Sequence, residues 1–366
     1  MTAPLKSYDI AVLPGDGIGV EVTAAALQLL AALEPKLGRR FVCTTRPAGA
    51  QHYLDSGDSL PAATLDACRQ SDAILFGAMG LPHVRGADGT EIIPQLDIRF
   101  ALDLYAGVRP IRTWKGLPVP LSDPRAAQID LVLVRESTEG LFYARGRGRM
   151  EGQGETACAF DTMKITHAGT TRVCDFALQL ARQRKAQGKR GHVTNVDKAN
   201  VFASMAFWRK IFEERAQAFP DVTTDHAYVD AMALNLVMKP WTYDVLVTEN
   251  MFGDILSDLI AALVGGMGMA PSADIGDQYA LFQPAHGTAP DIAGQGIANP
   301  SAMILSAAMM LAWLAARHGD AALADGARLI EAAMQGALAS GAVRPRDFGG
   351  TSGTADIVRA VLEHLA

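Results

Sequence analysis

Short apolar runs alternate with helical patterns along the whole chain. YDIAVL (residues 8–13) precedes VEVTAAALQLLAAL (20–33), FVCTTR (41–46) precedes LPAATLDACRQ (60–70), and DAILFG (72–77), IDLVLV (129–134), GHVTNV (191–196) and DVLVTE (244–249) follow. Runs of this kind between amphipathic stretches predict strands joined by crossover helices in a mostly parallel sheet. The fold class is therefore α/β. The pattern breaks at RGRGRMEGQGETACAFDTMKIT (145–166), glycine-rich and charged before it turns into short alternating pieces. Long segments of this kind inside compact domains are usually functional or mobile, which favours a protruding hairpin arm at about residues 143–166 over a plain surface loop. The basic run ARQRKAQGKRG (181–191) reads as a solvated helix end with a glycine stop.

A length of 366 residues exceeds one ordinary domain. The net charge of −6 gives no broad attraction to nucleic acid or anionic lipid, so any anion site must be built locally. Cys43, Cys68, Cys158 and Cys174 lie far apart with no metal-ligand spacing, which fits a reduced compartment. The N-terminal stretch lacks the layout of a secretion signal, and no uninterrupted apolar run is long enough to span a bilayer. A cytoplasmic protein with no membrane and no nucleic-acid partner is expected.

AVLPGDGIGVEV (11–22) is strand, glycine turn, helix. Its glycines, Gly15, Gly17 and Gly19, do not have the spacing of a Rossmann fingerprint, and the second strand ends in Arg46 rather than an acid. A tight turn needing glycine for its backbone and a close approach by a ligand both remain open.

Chemistry-bearing residues gather at the ends of the predicted strands. After DVLVT, the helix NMFGDILSDLIAALVGG places Asp254 and Asp258 four residues apart on one face. Two stacked carboxylates suit a divalent cation with oxygen ligands, or else Asp254 serves the helix dipole and Asp258 is merely exposed. Asp230 in AYVDAMALNLVM is a third oxygen ligand or a helix N-cap. TNVDKANV places Lys198 at the start of a helix, the wrong charge for the dipole, and that misfit suggests a role in proton transfer. Arg99, Arg109 and Arg135 each lie near an element's end. Singly each is a surface ion pair; converging, they would clamp a small di- or tricarboxylate. In QPAHGTAPDIAGQGIANP, Thr288 and Asp291 predict a helix N-cap box with Pro290 in its first turn, beside a possible anion seat, and Asn299-Pro300 restarts a long helix.

LPGDGIG, Arg99 with Arg109, VRE-x-TEG, VDKANV, YVDAMA, FGDILSD and HGTAPDIAGQGIANP occur in the order of the β-decarboxylating dehydrogenase family, which this chain resembles over nearly its whole length. That family includes 3-isopropylmalate, isocitrate, homoisocitrate, tartrate and D-malate dehydrogenases. The resemblance implies a two-domain isopropylmalate dehydrogenase-like fold, distinct from the standard Rossmann fold. A cofactor domain would comprise residues 1–104 and 265–366, and a substrate, metal and dimerisation domain residues 105–264. It further implies a homodimer with shared active sites. Arg99, Arg109 and Arg135 would hold the carboxylates of a small hydroxy-dicarboxylate. Asp254 and Asp258, with Asp230 from the second copy, would bind Mg²⁺ or Mn²⁺, and Lys198 from that copy would take the C2 hydroxyl proton. His286, Gly287, Thr288, Ala289, Pro290, Asp291 and Asn299 would hold the adenosine end of the cofactor. Asp291 would favour NAD, because a carboxylate accepts bonds from a ribose diol and repels a 2′-phosphate.

Two departures bear on the substrate and the chemistry. The isocitrate enzymes place serine and asparagine six and four residues before the first arginine, where this chain has Ile93 and Gln95. Isopropylmalate enzymes use apolar and acidic residues there; this chain offers Ile92, Ile93 and Leu96, but Gln95 replaces an expected leucine, so that pocket is only partly matched. 3-Isopropylmalate, tartrate and D-malate all stay open. The family's proton-donating tyrosine, seven residues after the third arginine, is here Phe142, with a hydroxyl one residue later on Tyr143. Tyr143 is the candidate replacement; a water or another side chain could protonate the enolate instead, and the remaining alternative is a catalytically impaired metabolite-binding relative. Gln283 also stands where the family usually has glutamate.

Overall fold

The computed structural model describes residues 5–86 and 89–365. Its elements begin with β1 (Lys6–Gly15), α1 (Gly19–Leu37), β2 (Arg39–Thr45), α2 (Ala50–Ser56), α3 (Ala62–Gln70), β3 (Ala73–Ala78), α4 (Pro94–Ala101), β4 (Ala106–Arg112), β5 (Asp130–Glu136), β6 (Arg149–Glu151) and β7 (Cys158–Phe160). They continue with α5 (His167–Ala186), β8 (His192–Asp197), α6 (Ala203–Ala216), β9 (Thr223–Tyr228), α7 (Val229–Met238), β10 (Val245–Thr248), α8 (Asn250–Leu263), β11 (Pro271–Ile275), β12 (Ala280–Pro284), α9 (Ser301–His318), α10 (Ala321–Ala339) and α11 (Thr354–Leu365). The α/β expectation holds. Two compact units divide the chain: the first holds Met1–Leu102, Thr113–Ser122 and Ala261–Ala366, the second Asp103–Arg112 and Asp123–Ile260.

In the first unit the strand order is β2-β1-β3-β12-β11, parallel except for the β11–β12 pair. β3 is buried at every position, as a parallel strand covered on both faces must be. α1, α9, α10 and α11 pack on one another over this sheet. α1 ends where Gly38 takes the left-handed conformation and returns its N–H to Glu34. The apolar helix α9 corrects one expectation, since by length and composition it could cross a membrane. Two-thirds of it is buried inside the unit, which is the setting of a core helix. A buried polar knot closes the other end of the unit. Asp320 accepts hydrogen bonds from Tyr8 Oη (2.6 Å), from Arg39 through Nε (2.7 Å) and Nη2 (2.9 Å), and from Ala322 N (3.2 Å) as the cap of α10. The Arg39 guanidinium first, then Tyr8 and Lys6, hold its carboxyl well below the usual carboxylate range.

The second unit has the order β4-β5-β10-β8-β9, parallel except for β4–β5. α5 packs on β5, β10 and β8. It stops at the basic run as expected, with Gly188 at φ +82° just beyond it. Within residues 145–166, β6 and β7 pair antiparallel as a hairpin whose strands are fully exposed. Its base is closed where Gly140 and Lys164 exchange backbone hydrogen bonds of 2.9 and 3.1 Å. Glu139 adds to the closure by accepting from Thr166 N (2.8 Å) and Thr166 Oγ1 (2.6 Å).

Candidate active site

In the second unit the ends of β5 and β10 set the site, because parallel strands deliver their C-terminal residues to the same rim. Thr248 is the register partner of Arg135, so the start of α8 rises beside that arginine. Asn250 Oδ1 accepts from Arg135 Nε (2.9 Å) and Nη2 (2.6 Å), and Nη1 bonds Asp254. Gly253 makes room, since a Cβ there would lie 2.7 Å from the Arg135 side chain. Phe142 lies against the guanidinium, its ring centre 4.8 Å from Cζ. Arg135 is thereby held on three sides.

Asp254 and Asp258 stand one turn apart on α8, as the spacing required. Burial and then the Asp254 charge push the Asp258 carboxyl up, and Arg109 and Arg135 partly offset this. Hard oxygen ligands that repel each other in this way are a donor set that Mg²⁺ or Mn²⁺ fits. Asp230 is placed differently. Tyr228 takes the N-cap of α7, Asp230 sits in its first turn, and its carboxylate pairs with Lys198 Nζ at 2.8 Å. Among the described residues, no three His, Cys, Asp or Glu side chains gather as a metal site within one chain. Lys198 itself is not on a helix: it lies in the turn after β8, where its carbonyl accepts from Val201 and Phe202, and α6 starts only at Ala203. The dipole misfit expected of it therefore does not arise. Asp197 fixes that turn, accepting from Ala199 N (2.9 Å) and from Arg209 through Nε (2.8 Å) and Nη2 (2.7 Å).

The aromatic pair separates. Phe142, not Tyr143, is the residue brought to Arg135; the Tyr143 ring lies between Arg147 Cζ (4.3 Å) and Lys164 Nζ (4.7 Å) at the arm's root. Adjacent side chains on a tight turn diverge, which is why one hydroxyl shifted by a residue does not land in the same place.

In the first unit the glycine loop meets protein backbone. A Cβ on Gly17 (φ +54°) would sit 2.1 Å from the Thr288 carbonyl oxygen, and one on Gly15 (φ +75°) 2.2 Å from that of Ala78. Ile18 N donates to Thr288 O at 2.8 Å. Asp16 caps α2, accepting from Ala50 N (2.7 Å) and Gln51 N (2.9 Å), and also from Gly80 N (2.9 Å). The turn is thus built for packing against the 286–299 loop. That loop contains no helix at Thr288–Asp291, contrary to the N-cap box: Thr288 Oγ1 donates to Gly80 O (2.7 Å), Ala289 has φ +36°, and successive turns follow through Pro290 and Asp291. Three glycines and a proline in residues 287–296 leave too little helix propensity to nucleate one. Asn299 does end the loop as expected, accepting from Ser301 N (3.1 Å) at the head of α9 and donating to Asp347 (3.0 Å). His286 Nδ1 faces the Gly287 carbonyl at 2.9 Å, while Nε2 is buried with no partner among the described residues. Burial lowers this imidazole's pKa. An orphaned ring nitrogen beside Gly287, where a Cβ would meet nothing within 4 Å, is an opening that a bound nucleotide suits.

On α4, buried Arg99 donates through Nε to Asp274 Oδ2 (2.9 Å), which also accepts from Gln283 Nε2 (2.7 Å). Gln95 is half-buried, Leu96 is buried, and Ile92 packs against Ala50, Leu81 and Val84 rather than standing free to line a substrate pocket. Asn250 and Asp274 escaped sequence reasoning. Asp274 had a signal, an acid within the otherwise uncharged PSADIG, whereas Asn250 shows its use only once β5 and β10 are side by side.

Comparison with known proteins follows the same lines. Residues 9–361 match the family model described as isocitrate/isopropylmalate dehydrogenase. The chain is 45% identical to the 3-isopropylmalate dehydrogenase of Aquifex aeolicus over 312 residues, 84% of each protein. It is 42% identical to that of Moorella thermoacetica over 97% of this chain and 99% of the relative. The crystal structure of isocitrate dehydrogenase from Methylococcus capsulatus superposes with a TM-score of 0.85 at 35% identity, covering 98% of this chain and 99% of that one.

Proposed function

The chain belongs to the isocitrate/isopropylmalate dehydrogenase family, and from that footing we propose that it oxidatively decarboxylates a (2R)-malate carrying a C3 substituent, using NAD and Mg²⁺ or Mn²⁺. The observation that carries this reading is the rim of the second unit, where the Arg135 guanidinium, a ligand for a carboxylate, stands beside Asp254, with Asp258 one turn along α8. When bound, NAD supplies the hydride acceptor and the divalent cation the Lewis acid. Asp254 and Asp258 would hold the cation, and Arg109 and Arg135 would orient the substrate carboxylates. Lys198, in its neutral form, would take the proton of the C2 hydroxyl, with the Asp230 carboxylate beside it to hold the ammonium that results. Phe142 offers no proton to the carbon that loses CO₂, so solvent provides it. The loop from His286 to Asn299 would seat the adenosine end, with exposed Asp291 selecting NAD over NADP.

A homodimer completes the site in this reading. It is supported by Leu234 and Met238 on α7 and Ile255 on α8, all more than 60% exposed, an apolar surface that suits a second copy. It is supported too by Asp230, which joins no metal-ligating cluster within its own chain among the described residues.

Relatives' names put 3-isopropylmalate in the substrate panel, and Gln95 keeps tartrate and D-malate there. Initial rates of NADH formation with these three, isocitrate and homoisocitrate, each with Mg²⁺ and Mn²⁺, test the proposal. Metal-dependent turnover of at least one is expected, and none would sink it. An Asp254→Asn variant that kept full rate without added metal would remove the cation assignment. Phe142 favours a second reading, an impaired relative that binds the metabolite without turning it over; a thermal shift with NAD and metal but no NADH would select it.

A further inference from the structure

Asn195 is a costly residue to place inside a buried parallel strand, because an amide taken out of water must find partners for its polar atoms. It lies on β8 with no exposed surface, and both ends of its carboxamide are committed. Trp208 Nε1 donates to its Oδ1 at 2.7 Å, and an indole nitrogen can only donate, so the carboxamide has one orientation. Nδ2 then donates to Asp197 Oδ2 at 2.6 Å and faces His226 Nδ1 at 3.2 Å. That ring nitrogen must be the acceptor, which leaves the imidazole proton on Nε2, 3.3 Å from Glu213 Oε1.

The two contacts of Nδ2 lead to the two halves of one ion pair. On the β8 side, Asn195 completes the shell of the buried Asp197 carboxylate, which also accepts from Ala199 N and twice from Arg209; four donors fill the lone-pair positions a carboxylate offers. The Ala199 bond spans Lys198 and fixes its backbone. On the β9 side, His226 is the register partner of Asn195, and the strand runs on through Tyr228, the partner of Asp197, directly into α7 and Asp230. β9 is the last strand of the sheet and is laddered on one side only, so a side-chain tie adds most there. Lys198 and Asp230, 2.8 Å apart, therefore follow the ends of two strands that a single buried amide holds together.

We infer that Asn195 is a positioning residue for Lys198, acting through Asp197 and His226 to set the geometry of the Lys198–Asp230 pair. The inference rests on the proton-transfer role proposed above for Lys198 and adds the buried groups that keep that lysine in place. A displacement of about 1 Å at a reacting group costs on the order of 10²-fold in rate, which gives a brace three residues away leverage on turnover without touching substrate.

The test uses the full-length protein and three variants. Asn195→Leu removes the tie, His226→Phe keeps a ring against Phe212 but removes the acceptor, and His226→Asn offers a side-chain oxygen where Nδ1 was. With the substrate of the panel that the wild type turns over best, Asn195→Leu should lower kcat at least about tenfold and His226→Phe at least about threefold, each with KM within about twofold, while His226→Asn stays within about twofold of the wild type in both. A second readout needs no turnover: acylation of Lys198 by an N-hydroxysuccinimide ester, followed by peptide mass spectrometry with the exposed Lys210 as internal standard, should quicken at least about threefold in the first two variants and not in the third, because an Nζ released from Asp230 samples open positions. Wild-type kcat and wild-type Lys198 labelling in an Asn195→Leu protein that melts normally overturn the inference. So does an equal loss of kcat in His226→Phe and His226→Asn. If the wild type turns over no substrate, the dehydrogenase reading fails by itself, and labelling decides the inference: an unchanged rate at Lys198 in all three variants overturns it. The two His226 variants decide the matter even if Asn195→Leu does not fold.

Discussion

Gly17→Ala separates two accounts of the PGDGIG turn, a loop kept bare for a ligand or a loop kept bare for its own neighbour. At φ +54° an alanine adopts the left-handed conformation at a cost of about 1–2 kcal/mol. Its Cβ would also arrive 2.1 Å from the Thr288 carbonyl oxygen, a backbone atom that cannot swing aside as a side-chain tip can. Forcing such a contact apart adds about 1–3 kcal/mol. The total, about 2–5 kcal/mol, corresponds to a fall in Tm on the order of 10 °C for a cooperative unit of this size. Gly38→Ala is the control, with φ +60° but nothing within 4 Å of the added carbon, and should lose only the conformational part. Circular dichroism melts of both variants, with NADH initial rates across an NAD titration, read the two effects. If Gly17→Ala loses no more stability than Gly38→Ala, the backbone-contact account is wrong. A normal melt with a raised KM for NAD would point instead to direct ligand approach.

Phe142→Tyr returns a hydroxyl beside Arg135 and should raise kcat at least about tenfold if proton delivery limits turnover, while Tyr143→Phe should leave kcat unchanged because that ring lies between Arg147 and Lys164; a loss of turnover in the second variant would reinstate Tyr143 as the donor. Asp320→Ala should cost about 2–4 kcal/mol near neutral pH in urea unfolding, since several charge-assisted bonds go at once. The folded-state value of Asp320 is depressed, so its contribution is fully present above the unfolded carboxyl value of about 4 and fades as pH falls toward the folded value. A gap between wild type and variant that widened on acidification would contradict that sign.

The sequence announced the layout well where one residue's neighbours decide its state. Apolar runs such as DAILFG became parallel strands because burial on both faces needs no information beyond the run itself. Asp254 and Asp258 share a face because helical spacing alone guarantees it. Legibility failed where a local signal competed with a distant partner. Thr288 looked like a cap, yet its hydroxyl bonds Gly80, 208 residues away. Lys198 looked helical because VDKANV runs into a helix, but the Asp197–Arg209 pair fixes a turn first. The acid of PGDGIG caps α2, a use visible only once residues 50 and 51 are folded next to it. β4, β11 and β12 lacked a long apolar run and were not anticipated; they carry the polar or charged residues Arg109, Asp274 and Gln283.

The closed base of the arm makes it a detachable part. Chain enters at Gly140 and returns at Lys164 in mutual hydrogen bonds, and Glu139 grips Thr166 from the side. Of the chain between them, Phe142 and Ala144 stay against the body of the unit, while the strands β6 and β7 stand clear of it. Lengthening such a loop costs only about 0.6 kcal/mol for each doubling. The β6–β7 tip, from Arg149 to Phe160, can therefore be shortened, extended or exchanged without renegotiating the sheet beneath it. That leaves selection, or an engineer, free to retune what the hairpin meets while the catalytic rim stays as it is.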